Sequence, residues 1–386
     1  MRKSHVELLR IIGCLIVIGC HTCLSLQIGG TYNYVRILVS CLFADGAGVF
    51  FLITGFFLFK KGNYGSTLVK TVKRVVIPLT LYHLFVFYFY DFLFGDVSLV
   101  ESIKHTAEEY RLPLENAIRF NDPFPTQYHL WYMYTYIFIM ILFPILKSFA
   151  DYLDKDIKHV RVFIIVSLAF LAVNQFTQNE LFGFYHHTTH IFLPASLLVI
   201  YGHILYKNRS RFLSKQWTLV SISAFLVLNL LRAAAQYILF LKEPNNVYLF
   251  WYSAFGVLCQ MSLAIFILSF LARSESREKE HNIDKACTIR KESIASRAVC
   301  AVSSLTFSVY LIHPLVITAL DKYNLRYMIF EKLSVLPEFL VSFLYVVVCT
   351  AIIVAITLVI VLALKLIVIA VKKGYSATKS ILCSKK

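Results

Sequence analysis

The sequence predicts an all-α integral membrane protein, a bundle of about ten transmembrane helices with both termini in the cytoplasm. Three observations carry this. The 386 residues are 58% hydrophobic and only 16% charged, with a mean hydropathy of +0.69, which suits lipid and not a soluble multidomain enzyme. Apolar runs long enough to cross about 30 Å of hydrocarbon recur along the whole chain. The cations alternate in density from loop to loop: 28 of the 38 Lys and Arg fall in loops that the alternation places inside, and 8 in those it places outside. That bias sets the orientation and accounts for the net charge of +16 without nucleic-acid binding.

Each run has its own signature. The first, 8–26, follows Arg2 and Lys3 as a signal peptide would, but it holds Arg10 close behind Glu7 and no small-residue cleavage site follows, so a retained helix is expected. The second, 35–59, is rich in glycine and closes on Lys60 and Lys61. The third, 75–94, starts beside the basic stretch that ends at Pro78, and the fourth, 129–149, opens with Trp131 and Tyr132 as an aromatic belt would. Runs 160–176, 190–206, 217–241 and 247–271 follow, then 298–320 with Pro314 inside it. The last, 339–371, exceeds one span, so it tilts or continues into the cytoplasm beyond Lys365. The outer segment 95–128, with its Pro123-Phe-Pro125 turn, is long enough to form a partly helical cap, and the inner segment 273–297 reads as a flexible loop. The membrane domain spans 1–372 and a short basic tail 373–386.

Ionisable groups inside apolar runs are costly and mark function. Arg10 and His21 are eleven residues apart, which in a helix is roughly 1100°, about three turns plus 20°, and a climb of about 16 Å. The two therefore share a face and can hold one elongated ligand, anionic end below and reactive end above. Asp45 lies at about the depth of His21 in the second run and is suited to orient its imidazole. Lys70, Lys73 and Arg74, at i, i+3 and i+4, put three cations on one face at the cytoplasmic surface, as phosphates require, or as a lipid-facing anchor would. Thr54 offers a hydroxyl within the bundle. His129 stands beside Trp131 at the outer interface, and Tyr310 and His313 share a face next to Pro314.

Other polar groups are read more plainly. Arg232, His83, Asp91 and His203 are further polar groups in apolar runs, of which His83 and His203 are read as bridges between helices. His186, His187 and His190 lack a carboxylate or cysteine at metal-ligand spacing, so no metal is expected. The nine cysteines, Cys20-His21-Thr22-Cys23 included, give neither a disulfide framework nor a redox motif.

Taken in order, Glu7-x-x-Arg10 then His21, Phe50-Phe-Leu-Ile-Thr54-Gly55-Phe, the basic stretch to Pro78, His129-Leu-Trp131-Tyr132 and Tyr310-Leu-Ile-His313-Pro314 resemble the integral-membrane acyltransferase family 3, whose members O-acetylate cell-surface glycans. By that resemblance Arg10 and His21 match the family's Arg-x10-His element, on which activity depends, and Lys70 with Arg74 falls near its paired-arginine element beside the donor site. Thr54 stands where a serine is usual, the basic pair is one residue too widely spaced, and Asp45 lies a turn from Gly48, where some members have an aspartate. No hydrolase-like or racemase domain follows, so the fused subtypes are not expected.

The resemblance implies acetyl-CoA, or a related acyl-CoA, as a co-substrate from the cytoplasm, with no tightly bound cofactor. Arg10, Lys70, Lys73 and Arg74 are then expected to hold its phosphates, and His21 to act as general base on an acceptor hydroxyl, with Asp45 or Glu7 orienting it. Direct transfer and a transient acyl-histidine both remain open. A glycan or lipid-linked sugar would enter from outside past Glu7, Thr54, His129, Trp131, Tyr310 and His313, the residues expected to bind it, at the plasma membrane of a bacterium. The competing class is a polytopic transporter or exporter of a polysaccharide, acyl group or amino acid, to which buried polar groups in ten helices are equally suited.

Overall fold

The computed structural model describes residues 4–23, 33–60, 63–95, 97–109, 128–176, 187–212, 214–242, 254–283 and 294–384. Among these there is no strand. The Pro123-Phe-Pro125 turn, His186 and residues 284–293 lie outside them, as do the side chains of His187 and His190, while the flanks of the inner segment expected to be a flexible loop are helical at 273–283 and 294–297.

A helix occupies each of the ten expected runs. In order they are α1 (Ser4–Cys23), α2 (Tyr34–Phe43), α3 (Gly46–Leu58), α4 (Tyr64–Thr71), a π-helical turn (Val72–Val76), α5 (Ile77–Phe94), α6 (Leu99–Glu109), α7 (Trp131–Ile141), α8 (Phe143–Leu153), α9 (Ile157–Phe176), α10 (His187–Lys207), α11 (Lys215–Lys242), α12 (Ala254–Ile283), α13 (Ile294–Ser303), α14 (Thr306–Lys322), α15 (Leu325–Leu333) and α16 (Glu338–Ser384). Among the described residues four helices are long and apolar enough to cross a membrane, and seven spans result if each bent pair is one. The structure thus supports four to seven spans where ten are expected, and it carries no membrane that would place the termini. Leu81, Ile145, Ile165, Val166 and Val359 are exposed, as hydrocarbon-facing side chains are.

Three breaks shape the bundle. The second run divides at Ala44–Asp45 into α2 and α3. The fourth bends by 71° between Ile141 and Phe143, where Pro144 at the start of α8 has no N–H to continue the helix. The ninth bends by 55° between α13 and α14. There the hydroxyls of Ser304 and Thr306 donate to the Ala301 and Ser303 carbonyls, at 2.6 and 2.8 Å, satisfying backbone that the break frees. The stretch after Lys60, expected to be a loop, is instead helical from Tyr64, capped by the Asn63 side chain, which accepts from the Ser66 N–H. The last helix runs unbroken through the expected tail, its 47 residues being about twice what one span needs.

Helix α1 is the hub, packed against α2, α3, α12, α13, α14 and α16. Glycine makes the tightest contacts elsewhere in the core. A Cβ on Gly55 of α3 would lie 1.9 Å from the Val199 carbonyl oxygen, and one on Gly202 of α10 would lie 2.1 Å from that of Leu52. Backbones this close need the absence of a side chain on both helices.

Asp154, just past α8, accepts hydrogen bonds from His203 (3.1 Å) and Lys207 (2.8 Å) of α10. Partial burial pushes its carboxyl up, but those two hydrogen bonds and their charges outweigh it and hold the group below the ordinary aspartate range. A carboxylate depressed in the folded state adds stability above its unfolded pKa and loses it as pH falls toward the folded one. Asp154→Asn is therefore expected to lower the unfolding midpoint at neutral pH by an amount worth under about 1 kcal/mol, because the pair is solvent-screened. The gap between variant and wild type should close as pH falls through the carboxylate range; a gap that stays constant would discard this account.

Candidate active site

Three imidazoles from three distant segments meet above the centre of α1. His21, in its last turn, lies with its ring centroid 5.2 Å from His313 of α14 and 6.2 Å from His129, which sits in the 3-10 turn that opens α7. His129 and His313 are 5.3 Å apart. Tyr310 closes the group, 5.5 Å from His129, and its hydroxyl donates to the His129 backbone carbonyl. His129, Tyr310 and His313 are buried, and His21 is half-buried.

The His313-Pro314 dipeptide builds one of these imidazoles from backbone logic. Pro314 has no N–H, so the Tyr310 carbonyl four residues earlier loses its helical donor. His313 Nδ1 replaces it at 2.7 Å. A ring nitrogen facing a carbonyl must carry the proton, which leaves Nε2 as the acceptor in the neutral ring. That Nε2, like His129 Nε2, is buried with no hydrogen-bond partner among the described residues.

Below the imidazoles an aromatic column leads down α1. The Tyr132 ring is 5.7 Å from that of Tyr310, and Tyr132 and Tyr136 both feel the charge of Arg10. Thr54 of α3 hydrogen-bonds Tyr132 from the side and donates to the Phe50 carbonyl at 2.9 Å. Arg10 and His21 therefore border one continuous row of polar and aromatic side chains, at opposite ends.

The structure reassigns three expected residues. Asp45 does not orient His21: its carboxylate is taken by Arg232 of α11 at 2.8 Å and by Gln260 of α12 at 3.2 Å, all three buried. Glu7 orients Arg10, with 2.5 Å between Oε2 and Nη1, and also accepts from the Ser303 hydroxyl. It is fourteen residues from His21 on one helix, about 21 Å, so it neither orients that ring nor shares its end of the site. Trp131 packs its ring on Phe51 and Tyr132 in the core, at 6.3 and 6.2 Å, and not among the imidazoles.

Lys70, Lys73 and Arg74 are exposed. The last two fall within the π-helical turn Val72–Val76, a distortion that often marks functional segments. This turn packs on α7, the helix that carries Tyr132 and Tyr136. Among the described residues no group of three or more His, Cys, Asp or Glu is arranged to hold a metal ion.

Sequence reasoning passed over Tyr82, of α5. It is buried, its ring is edge-on to His129 at 6.5 Å, and its hydroxyl has no partner among the described residues. A tyrosine among aromatic neighbours in an apolar run carries no local signal of this.

A family model described as an acyltransferase domain matches residues 4–361. No curated protein and no solved structure matches the chain. The match covers nearly the whole chain, all three imidazoles, Arg10 and the basic turn included, and the protein therefore belongs to the acyltransferase-3 family.

Proposed function

We propose that the protein is a membrane O-acyltransferase that moves an acetyl or related acyl group from cytoplasmic acyl-CoA to a hydroxyl of a cell-surface or lipid-linked glycan, in the plasma membrane of a bacterium. The observation that carries this reading is the row from Arg10 to the His21, His129 and His313 group. Its two ends are about 16 Å apart by helical rise, a length suited to an extended thioester arm, with a guanidinium for phosphate at one end and a base at the other.

In this mechanism Arg10, held by Glu7, and the exposed Lys70, Lys73 and Arg74 bind the phosphates. His21 removes the proton of the acceptor hydroxyl as its oxygen attacks the thioester carbonyl carbon. The C–O bond forms, the C–S bond breaks, and the thiolate of CoA leaves with the proton that the imidazole received. The Nε2 acceptors of His129 and His313 receive hydroxyl protons of the sugar in hydrogen bonds and so place it. Tyr310 keeps His129 in position through its backbone.

Membrane vesicles carrying the protein, supplied with radiolabelled acetyl-CoA, are expected to release free CoA and transfer label to the glycan fraction. Arg10→Ala should raise the KM for acetyl-CoA by about tenfold or more, as loss of a charge-assisted phosphate contact does. A transporter would move a solute without cleaving the thioester, so vesicles that release no CoA above background would rule out the acyltransferase reading.

A further inference from the structure

We infer that the Tyr82 hydroxyl is the hydrogen-bond donor that stabilises the oxyanion formed when the acceptor attacks the thioester; this rests on the acyltransferase reading above. Three buried polar atoms in the group formed by His129, His313 and the adjoining Tyr82 have no partner among the described residues: Tyr82 Oη, His129 Nε2 and His313 Nε2. Buried polar groups are almost always paired, and each orphan needs a reason. Three in one cluster point to a ligand that supplies what they lack.

Their chemistry is complementary. His313 offers an acceptor, because its Nδ1 proton is committed to the Tyr310 carbonyl at 2.7 Å. Tyr82 offers the hydroxyl proton that an anionic oxygen needs. Its ring stands edge-on to His129, 6.5 Å between centroids and 84° between planes, and its oxygen lies within electrostatic reach of the Tyr310 oxygen. Tyr310 cannot serve in its place, since its own hydroxyl is donated to the His129 carbonyl. Among the tyrosines around the imidazoles, Tyr82 is thus the one whose proton is uncommitted within the described residues.

The step balances. As the acceptor oxygen bonds to the carbonyl carbon, the π pair of the carbonyl moves onto its oxygen, which accepts the Tyr82 O–H. When that pair returns, the C–S bond breaks and its electrons leave on CoA sulfur. Tyr82 keeps its proton throughout. A donor aimed at charge that develops only in the transition state acts mainly on kcat.

Tyr82→Phe removes one oxygen and keeps the ring. In vesicles with radiolabelled acetyl-CoA, the variant is expected to lose about 10²- to 10³-fold in the rate of label transfer at saturating donor, as the loss of one oxyanion donor does. KM for acetyl-CoA should be unchanged and the unfolding midpoint in detergent unchanged or raised, because a buried, unpaired hydroxyl is being deleted. Transfer within threefold of wild type, or a variant that fails to fold, would show the hydroxyl to be structural and overturn the assignment. If His21→Ala abolishes transfer while Tyr82→Phe retains it, Tyr82 alone falls; if wild type transfers nothing, both readings fall together.

Discussion

His21→Ala is expected to remove acyl transfer by about 10² to 10⁴-fold, the range that general-base catalysis contributes, while the protein still inserts and folds. The two halves of this expectation have separate grounds. His21 is the imidazole that α1, the hub of the bundle, brings within 5.2 Å of His313 and 6.2 Å of His129; without it the row rising from Arg10 ends before a base. Yet the ring is half-buried and lies in the last turn of its helix, so its loss leaves α1 and its packing intact. Label transfer in vesicles reads the first half, and the detergent unfolding midpoint the second. His21→Asn, which keeps a polar side chain of similar size but no basic nitrogen, should behave like alanine in transfer and like wild type in stability. Normal product from either variant would take His21 out of the mechanism and leave His313, whose tautomer the fold fixes, as the base to test next.

How far this was legible beforehand differs between fold and site. Lipid forces long apolar helices on any polytopic chain, so the all-helical architecture could be read from composition alone, whereas the number of spans, four to seven among the described residues against ten expected, could not. The spacing of Arg10 and His21 was equally legible, because helical geometry within one segment is local. Partnership between segments was not. Asp45 was matched with His21 because their depths agree, and depth says nothing about rotation around the bundle; the break at Ala44–Asp45 instead presents the carboxylate to Arg232 and Gln260. The basic trio was read on a regular helix, whereas the π-helical turn changes the angle between Lys70 and the following pair. The Tyr310-Leu-Ile-His313-Pro314 motif was read as putting Tyr310 and His313 on one face, and both do lie beside His129, but the exchange of a missing proline N–H for an imidazole N–H emerged only with coordinates.

The largest loss of stability is expected from Arg232→Met. Arg232 is fully enclosed, at 0% exposure, and its Nη1 meets Asp45 Oδ2 at 2.8 Å and the Cys41 carbonyl at 3.5 Å. Removing one member of a buried ion pair leaves the other charge uncompensated, at a cost of about 3–5 kcal/mol. The consequences reach α1, because Gly46, next to Asp45, lies where a Cβ would be 2.5 Å from the Val17 N and 2.6 Å from the Gly13 carbonyl oxygen. The ion pair therefore fixes the point at which the divided second run leans on the helix that carries His21. Asp45→Asn should be milder, since its amide oxygen still accepts from Arg232 and its NH2 donates to the Gln260 side-chain carbonyl once that amide is flipped, although the guanidinium loses its counter-charge. The decisive comparison is the double variant Asp45→Asn with Arg232→Met: with both charges gone it should recover a large share of what Arg232→Met loses, because the remaining cost is polar packing and not an isolated ion. Unfolding midpoints of the three variants in detergent measure the coupling. Additive losses would mean that the two residues stabilise their helices independently, and the break in the second run would then need another support than this ion pair.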